Sequence, residues 1–146
     1  MKPTWGWIRA AALAGTLIAA GCGDAELLTA PAPPEPIDPN ATFARVQTTI
    51  FTPSCAVAGC HDPFGRSAEL VLTEGQAWAN IVNQPSTEVP GLDRVEPGDP
   101  DQSYLYRKVT GVGITGERMP AFSPPLPEES IRLIRDWIRR GAPDDA

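Results

Sequence analysis

Two of the three cysteines and the only histidine of this 146-residue chain lie in one short run, from Cys55 to His61. Four residues separate Cys55 from Cys60, and His61 follows Cys60 directly. Two thiols followed by an imidazole are typical of covalent haem attachment, in which the thiols form thioethers and the imidazole ligates iron. The usual separation of the cysteines is two residues. The Cys-x4-Cys-His run therefore predicts a variant attachment loop.

The longer spacing constrains the backbone of this loop. Positions five residues apart lie about 140° apart around an ideal α-helix. Cys55 and Cys60 would thus point in different directions on a continuous helix, and we expect Cys55 to lie on non-helical backbone. Pro53 before it and Gly59 inside the loop favour such a departure.

The same residues suggest two alternatives to haem attachment, a zinc site and a disulfide. A zinc site has too few ligands here, because two cysteines and one histidine leave the fourth position to a distant carboxylate. A disulfide between Cys55 and Cys60 remains open in an exported, oxidising setting, although a bond closing so small a loop adds little stability. In that haem-free alternative the protein is a structural or binding lipoprotein, and His61 is incidental.

Methionine is a common second axial ligand of haem iron. Apart from Met1, the chain has one methionine, Met119, in the irregular run Gly116-Glu117-Arg118-Met119-Pro120. A lone methionine in a polar loop with glycine and proline is poorly explained as a core residue that fills a gap. We therefore predict that Met119 supplies the ligand opposite His61.

The N-terminus has the pattern of an export signal. Lys2 and Arg9 precede a short uncharged stretch of small and apolar residues, which is too short to span a bilayer. Cys22 follows Ala19-Ala20-Gly21, which resembles the lipobox of bacterial lipoproteins. The resemblance predicts a signal peptide over 1–21 and lipidation of Cys22, with the protein anchored to the cell envelope, at the outer membrane in a Gram-negative cell. An ordinary signal peptide or an uncleaved anchor is the alternative.

A proline-rich tether follows the lipidation site over residues 22–40, and composition predicts that it is extended and does not pack. Removal of residues 1–21 takes away Lys2 and Arg9 and no acidic residue, which moves the formal net charge from −6 to −8. So acidic a domain disfavours nucleic acid and anionic membrane surfaces as partners. It favours redox partner proteins with a basic patch.

The rest of the chain, residues 41–146, predicts one loop-rich, all-α domain. Phe43, Val46 and Ile50 share a helical face over 41–51, which Pro53 should end. A broad apolar stripe, with Pro127 suited to the first helical position and Gly141 after the end, predicts a last helix. Short helices are expected over 74–82 and 103–109, and a short extended piece over 69–73.

This order of features resembles a class I-like cytochrome c single-haem domain of bacterial lipoproteins. The similar runs are Asn80-Ile81-Val82-Asn83, residues 95–100, Ser103-Tyr104-Leu105, Arg118-Met119-Pro120 and residues 137–142. The resemblance covers about residues 43–143. It implies a cytochrome c-like fold whose N- and C-terminal helices pack around one covalent haem c, attached at Cys55 and Cys60 and ligated by His61 and Met119.

The resemblance also implies electron transfer rather than enzymatic catalysis. Candidate residues of the haem pocket are Tyr104, Arg118, Pro120 and Trp137, and the candidate donors to haem propionates are Arg94, Lys108, Arg118 and Tyr104. A third alternative is a haem domain with an open iron site that acts on a small molecule. Such chemistry would need distal acid–base groups, and no second histidine exists to serve.

Overall fold

The computed structural model describes Met1 and residues 35–145. The chain divides into two units, Met1–Pro34 and Glu35–Ala146. The predicted signal peptide, Cys22 and most of the predicted tether lie outside the described residues. Four α-helices are seen in the second unit: α1 (Phe43–Val46), α2 (Ala77–Ile81), α3 (Tyr104–Thr110) and α4 (Glu128–Arg139).

The first helix changes its winding part-way along. Thr42 caps α1, with its Oγ1 accepting a hydrogen bond from the Arg45 amide at 3.3 Å. The chain then continues as a π-helix over Gln47–Cys55, which includes Pro53. The expectation that Pro53 ends the helix is wrong. Proline removes one backbone hydrogen bond of the helix, and burial of the neighbouring Ile50 and Phe51 side chains in the core outweighs that loss.

The last helix, α4, is confirmed between Pro127 and Gly141, with Pro127 as its N-cap rather than at the predicted first helical position. Its apolar stripe buries Ile134, Trp137 and Ile138 completely. The ring of Trp137 lies 5.4 Å from the ring of Phe43 on α1, so the N- and C-terminal helices pack against each other through aromatic side chains.

Loops and short helices connect these two ends of the domain. The helix α2 falls inside its predicted range, and α3 ends at Thr110, one residue beyond the predicted 103–109. Leu70 is extended as predicted, but Glu69, at the start of the predicted extended piece, ends a 3-10 turn instead. Strand pairing among the described residues is limited to isolated bridges, such as the one between Val82 and Val95. The described part of the chain is thus helical with few strand contacts.

The end of the predicted tether lies against α4. The Asp38 amide donates to Asp136 Oδ2 at 3.1 Å, and Arg135 pairs with Glu35. Residues 35–40 therefore depart from the expectation that the tether does not pack, because α4 offers them a buried carboxylate and an arginine. Within the described residues, no helix has the length and apolarity that crossing a membrane requires.

Candidate cofactor site

A cavity of about 210 Å³ opens between the π-helix, α3 and α4. Most of its wall is apolar, formed by Ile50, Phe51, Leu70, Leu72, Leu105, Val109 and Ile134. Three of the candidate site residues, Cys55, His61 and Met119, also line it. Ligand-binding cavities in proteins are commonly apolar with a few polar groups. The arrangement thus brings two sulfur atoms and one imidazole to the wall of one apolar space.

His61 is buried and held in a defined orientation. Its Nδ1 lies 3.4 Å from the Leu70 carbonyl oxygen, and its own carbonyl accepts a hydrogen bond from the Leu72 amide at 2.8 Å. With the proton on Nδ1, the lone pair of Nε2 is left for a metal. Burial lowers the pKa of His61, which favours the neutral form that ligates metals.

The loop before His61 is stabilised by its own backbone and by Asp62. The His61 amide donates to the Cys55 carbonyl at 3.2 Å, and Asp62 Oδ1 accepts from the amides of Gly59 and Gly65 at 3.1 and 2.7 Å. A Cβ at Gly65 would lie 2.4 Å from the carbonyl carbon of Gly59, so the backbone fold of this loop requires glycine there.

The two cysteines occupy different environments. Cys55 is half-buried as the last residue of the π-helix, so the expectation of non-helical backbone at this position is wrong. The wider winding carries the helix as far as Cys55 and turns its side chain to the cavity wall. Burial, with a smaller contribution from Cys60, raises the pKa of the Cys55 thiol to about 12. Cys60 is an exposed free thiol and is not part of the cavity wall.

Met119 is held at the cavity by α3. Its amide donates to the Lys108 carbonyl at 2.8 Å. The loop before it is fixed at Thr115, whose amide lies 3.1 Å from the Tyr104 hydroxyl and whose carbonyl accepts from Lys108 Nζ at 3.0 Å. A short helix and two polar side chains therefore place a loop methionine at the cavity that His61 also lines.

The remaining predicted pocket residues divide into two groups. Tyr104, Arg94 and Lys108 line the cavity, whereas Arg118, Pro120 and Trp137 do not. Arg118 instead donates to the carbonyls of Met119 and Ser123. Trp137 lies in the core, with its Nε1 donating to the Pro143 carbonyl at 3.0 Å.

The structure adds residues that motif reasoning missed. Glu88 lines the cavity and pairs with the buried Lys108 at 3.1 Å. Gln47, which is 3% exposed, donates to the Leu72 carbonyl at 3.0 Å. A signal for Gln47 was present, since this polar residue interrupts the apolar helical face that Phe43 and Ile50 share.

The donor set fits a covalently attached haem at Cys55, His61 and Met119. Cys60 is adjacent to His61 but lies outside the cavity wall, so its bond to the same group would require a change of the loop. Within residues 35–145, no three Cys, His, Asp or Glu side chains converge as a cation site. The ligand chemistry here is thus that of one imidazole and soft sulfur atoms.

The chain was compared with protein families, curated proteins and solved structures. No protein-family model matches this chain, and no curated protein or solved structure is significantly similar to it.

Proposed function

We propose that this protein transfers electrons through one covalently bound haem c, for which His61 and Met119 would supply the iron ligands. The observation that carries the proposal is that Cys55 and His61, from one short run, and Met119, from a distant loop, line one mainly apolar cavity. They include the only histidine of the chain and its only methionine besides Met1. When bound, the haem iron supplies one-electron redox chemistry.

The chain's own residues bind, orient and shield such a group. Neutral His61 offers Nε2 while Leu70 fixes the ring, and Met119 offers a thioether from a loop bonded to α3. The thiols of Cys55 and Cys60 would provide the covalent bonds, the latter after a change of the loop that brings Cys60 to the cavity. Apolar residues of the π-helix and α4 exclude water, and a dry surrounding helps to set a reduction potential.

Arg94 and Lys108 give the cavity a cationic side suited to propionates. Arg94 donates to the carbonyls of Asn80 and Ala68, and Lys108 is paired with Glu88. Both side chains are fixed by these bonds and line the cavity. We propose them as the propionate partners ahead of Arg118, which is engaged outside the cavity wall.

The proposal includes export and anchoring by a lipid on Cys22. The support is the sequence pattern of residues 1–22. The intact mass of the wild-type protein should show loss of residues 1–21 and an added lipid on Cys22, and replacement of Cys22 by serine should abolish the lipid mass and leave the haem content unchanged. A mature wild-type protein without an added lipid mass would contradict lipid anchoring.

The experiment that tests the redox function is an absorption spectrum combined with an intact-mass measurement. The protein is produced in a host with cytochrome c maturation. We expect a Soret band, the added mass of one haem and a low-spin iron. Met119→Ala should keep the covalent haem but bind cyanide rapidly, whereas Glu117→Ala, at an exposed position of the same loop, should behave as the wild type.

Two outcomes would favour other functions. A colourless product with Cys55 and Cys60 joined as a disulfide would support the haem-free lipoprotein. A wild-type ferric protein that is high-spin and binds cyanide rapidly would instead support an open iron site that acts on a small molecule.

A further inference from the structure

Gln47 is a buried polar side chain in the first turn of the π-helix. Its Nε2 donates to the Leu72 carbonyl at 3.0 Å and to Thr52 Oγ1 at 3.1 Å. A buried amide rarely occupies an apolar helical face without a specific hydrogen-bonding role. The partner that matters is Leu72, because it belongs to the short segment that holds His61.

The segment Leu70–Leu72 contacts His61 at both ends. The Leu70 carbonyl lies 3.4 Å from His61 Nδ1, and the Leu72 amide donates to the His61 carbonyl at 2.8 Å. No strand ladder fixes this segment among the described residues, since their strand contacts are isolated bridges elsewhere. The Gln47 side chain is the group that bonds this segment to the π-helix.

We propose that Gln47 is a positioning residue for His61. By holding the Leu72 carbonyl, it sets the location of the Leu70 carbonyl and thereby the ring orientation of His61. Acceptors in the second shell of a metal-ligating histidine fix its tautomer and its direction. The proposal deepens the proposed redox function, in which His61 is an axial ligand, but its structural part holds in the haem-free protein as well.

The Oε1 atom of the Gln47 side chain makes it possible to test positioning separately from general stabilisation of the fold. Its Oε1 is buried without a hydrogen-bond donor among residues 35–145. An unpaired buried oxygen destabilises the fold, and an apolar side chain of similar shape avoids that cost. Gln47→Met should therefore leave the protein folded while it frees the Leu72 carbonyl.

The first test uses the full chain produced haem-free, in a host without cytochrome c maturation. In the wild type, the side-chain amide protons of Gln47 should exchange slowly, and nitrogen NMR should show one His61 tautomer with the proton on Nδ1. In Gln47→Met, the Leu72 amide should exchange roughly tenfold faster or more, with α4 amides unchanged, as expected of local opening. His61 should then populate both tautomers.

Thr52→Val is the matched control, because it removes the other acceptor of Gln47 Nε2 and leaves the bond to Leu72. It should keep both Leu72 protection and the single tautomer. Gln47→Asn, whose side chain is too short to reach Leu72, provides a second variant should Gln47→Met not fold.

Several results would overturn the proposal. One is fast exchange of the Gln47 side-chain amide protons in the wild type. Another is that Gln47→Met increases amide exchange equally at Leu72 and in α4. A third is that Gln47→Met changes neither the amide exchange of Leu72 nor the tautomer of His61. In haem-loaded protein, Gln47→Met should also shift the reduction potential while Thr52→Val does not. A wild type that never binds haem would refute the redox function, yet the haem-free measurements would still decide the role of Gln47.

Discussion

His61 is neutral and buried, and this combination makes the histidine both a ligand and a pH-sensitive group. Removal from water disfavours the charged imidazolium, and the backbone carbonyls of Leu70 and Ser67 only partly compensate. Between the lowered pKa of the folded state and the ordinary value near 6.5, the unfolded chain binds more protons than the folded one. The free energy of unfolding must therefore fall as the pH drops from 6.5 through the folded pKa.

The prediction concerns the haem-free protein. His61→Gln should remove this part of the pH dependence, since glutamine does not titrate. Urea unfolding at a series of pH values from about 7 to about 5 gives the difference between wild type and variant, and NMR gives the folded pKa. A difference in unfolding free energy between wild type and His61→Gln that is independent of pH over this range, or that increasingly favours the wild type as the pH falls, would contradict the assigned direction.

The two cysteines differ in reactivity for physical reasons. At pH 8, a thiol whose pKa is about 12 has a very small thiolate fraction, and Cys55 is also half-buried. Cys60 is exposed. We expect a disulfide reagent to label Cys55 roughly 100-fold more slowly than Cys60, after allowance for the greater nucleophilicity of high-pKa thiolates.

The measurement uses haem-free protein in which Cys22 is replaced by serine. Cys55→Ser and Cys60→Ser variants then report one thiol each. Equal labelling rates in the two variants would show that Cys55 is not shielded in solution.

The helix α3 acts as the support of the Met119 loop. Tyr104 and Lys108 both bond to Thr115, and the Lys108 carbonyl accepts from the Met119 amide. The loop is thus hydrogen-bonded to α3 at two points, Thr115 and Met119. Because these hydrogen bonds are few, loss of one should increase the mobility of the loop more than that of the rest of the domain.

Tyr104→Phe tests this support. Removal of the hydroxyl should lower the free energy of unfolding by about 1 kcal/mol. It should also raise amide exchange over residues 111–119, with α4 unaffected. Tyr106→Phe, a hydroxyl removed from the same helix, serves as the control. Hydrogen exchange by mass spectrometry reads both, and similar loop exchange in the two variants would refute the role of Tyr104.

The whole molecule is acidic, with a formal charge of −6 for the full chain and −8 without residues 1–21. Long-range attraction to cations and repulsion of anions follow, and salt screens both over about 10 Å at 0.1 M. Under the proposed function, this field acts on electron exchange with soluble partners.

Electron transfer of the haem-loaded protein to small charged reagents should show this field. Rates with a hexaamminemetal cation should fall as the ionic strength rises from about 0.01 M to about 1 M, and rates with a hexacyanometallate anion should rise. Stopped-flow kinetics measures both. The same sign of salt dependence for the two reagents would contradict steering by net charge.

The sequence by itself determined the chemistry available and the elements defined by local signals. The types and spacing of Cys55, Cys60, His61 and Met119 predict a haem site, with a Cys55–Cys60 disulfide as the alternative. The apolar stripe of α4, with Pro127 and Gly141 at its ends, defined the last helix, because periodicity and end signals act within one segment.

Tertiary structure alone decided which of these residues meet. The cavity includes Cys55 but not Cys60, and Trp137 faces the core rather than the cavity. The acceptor for His61 is Leu70, which no local signal marked, and the π-helix continues through Pro53. These outcomes depend on burial and on hydrogen bonds between distant segments, whose energies exceed the local preferences that a sequence pattern reports.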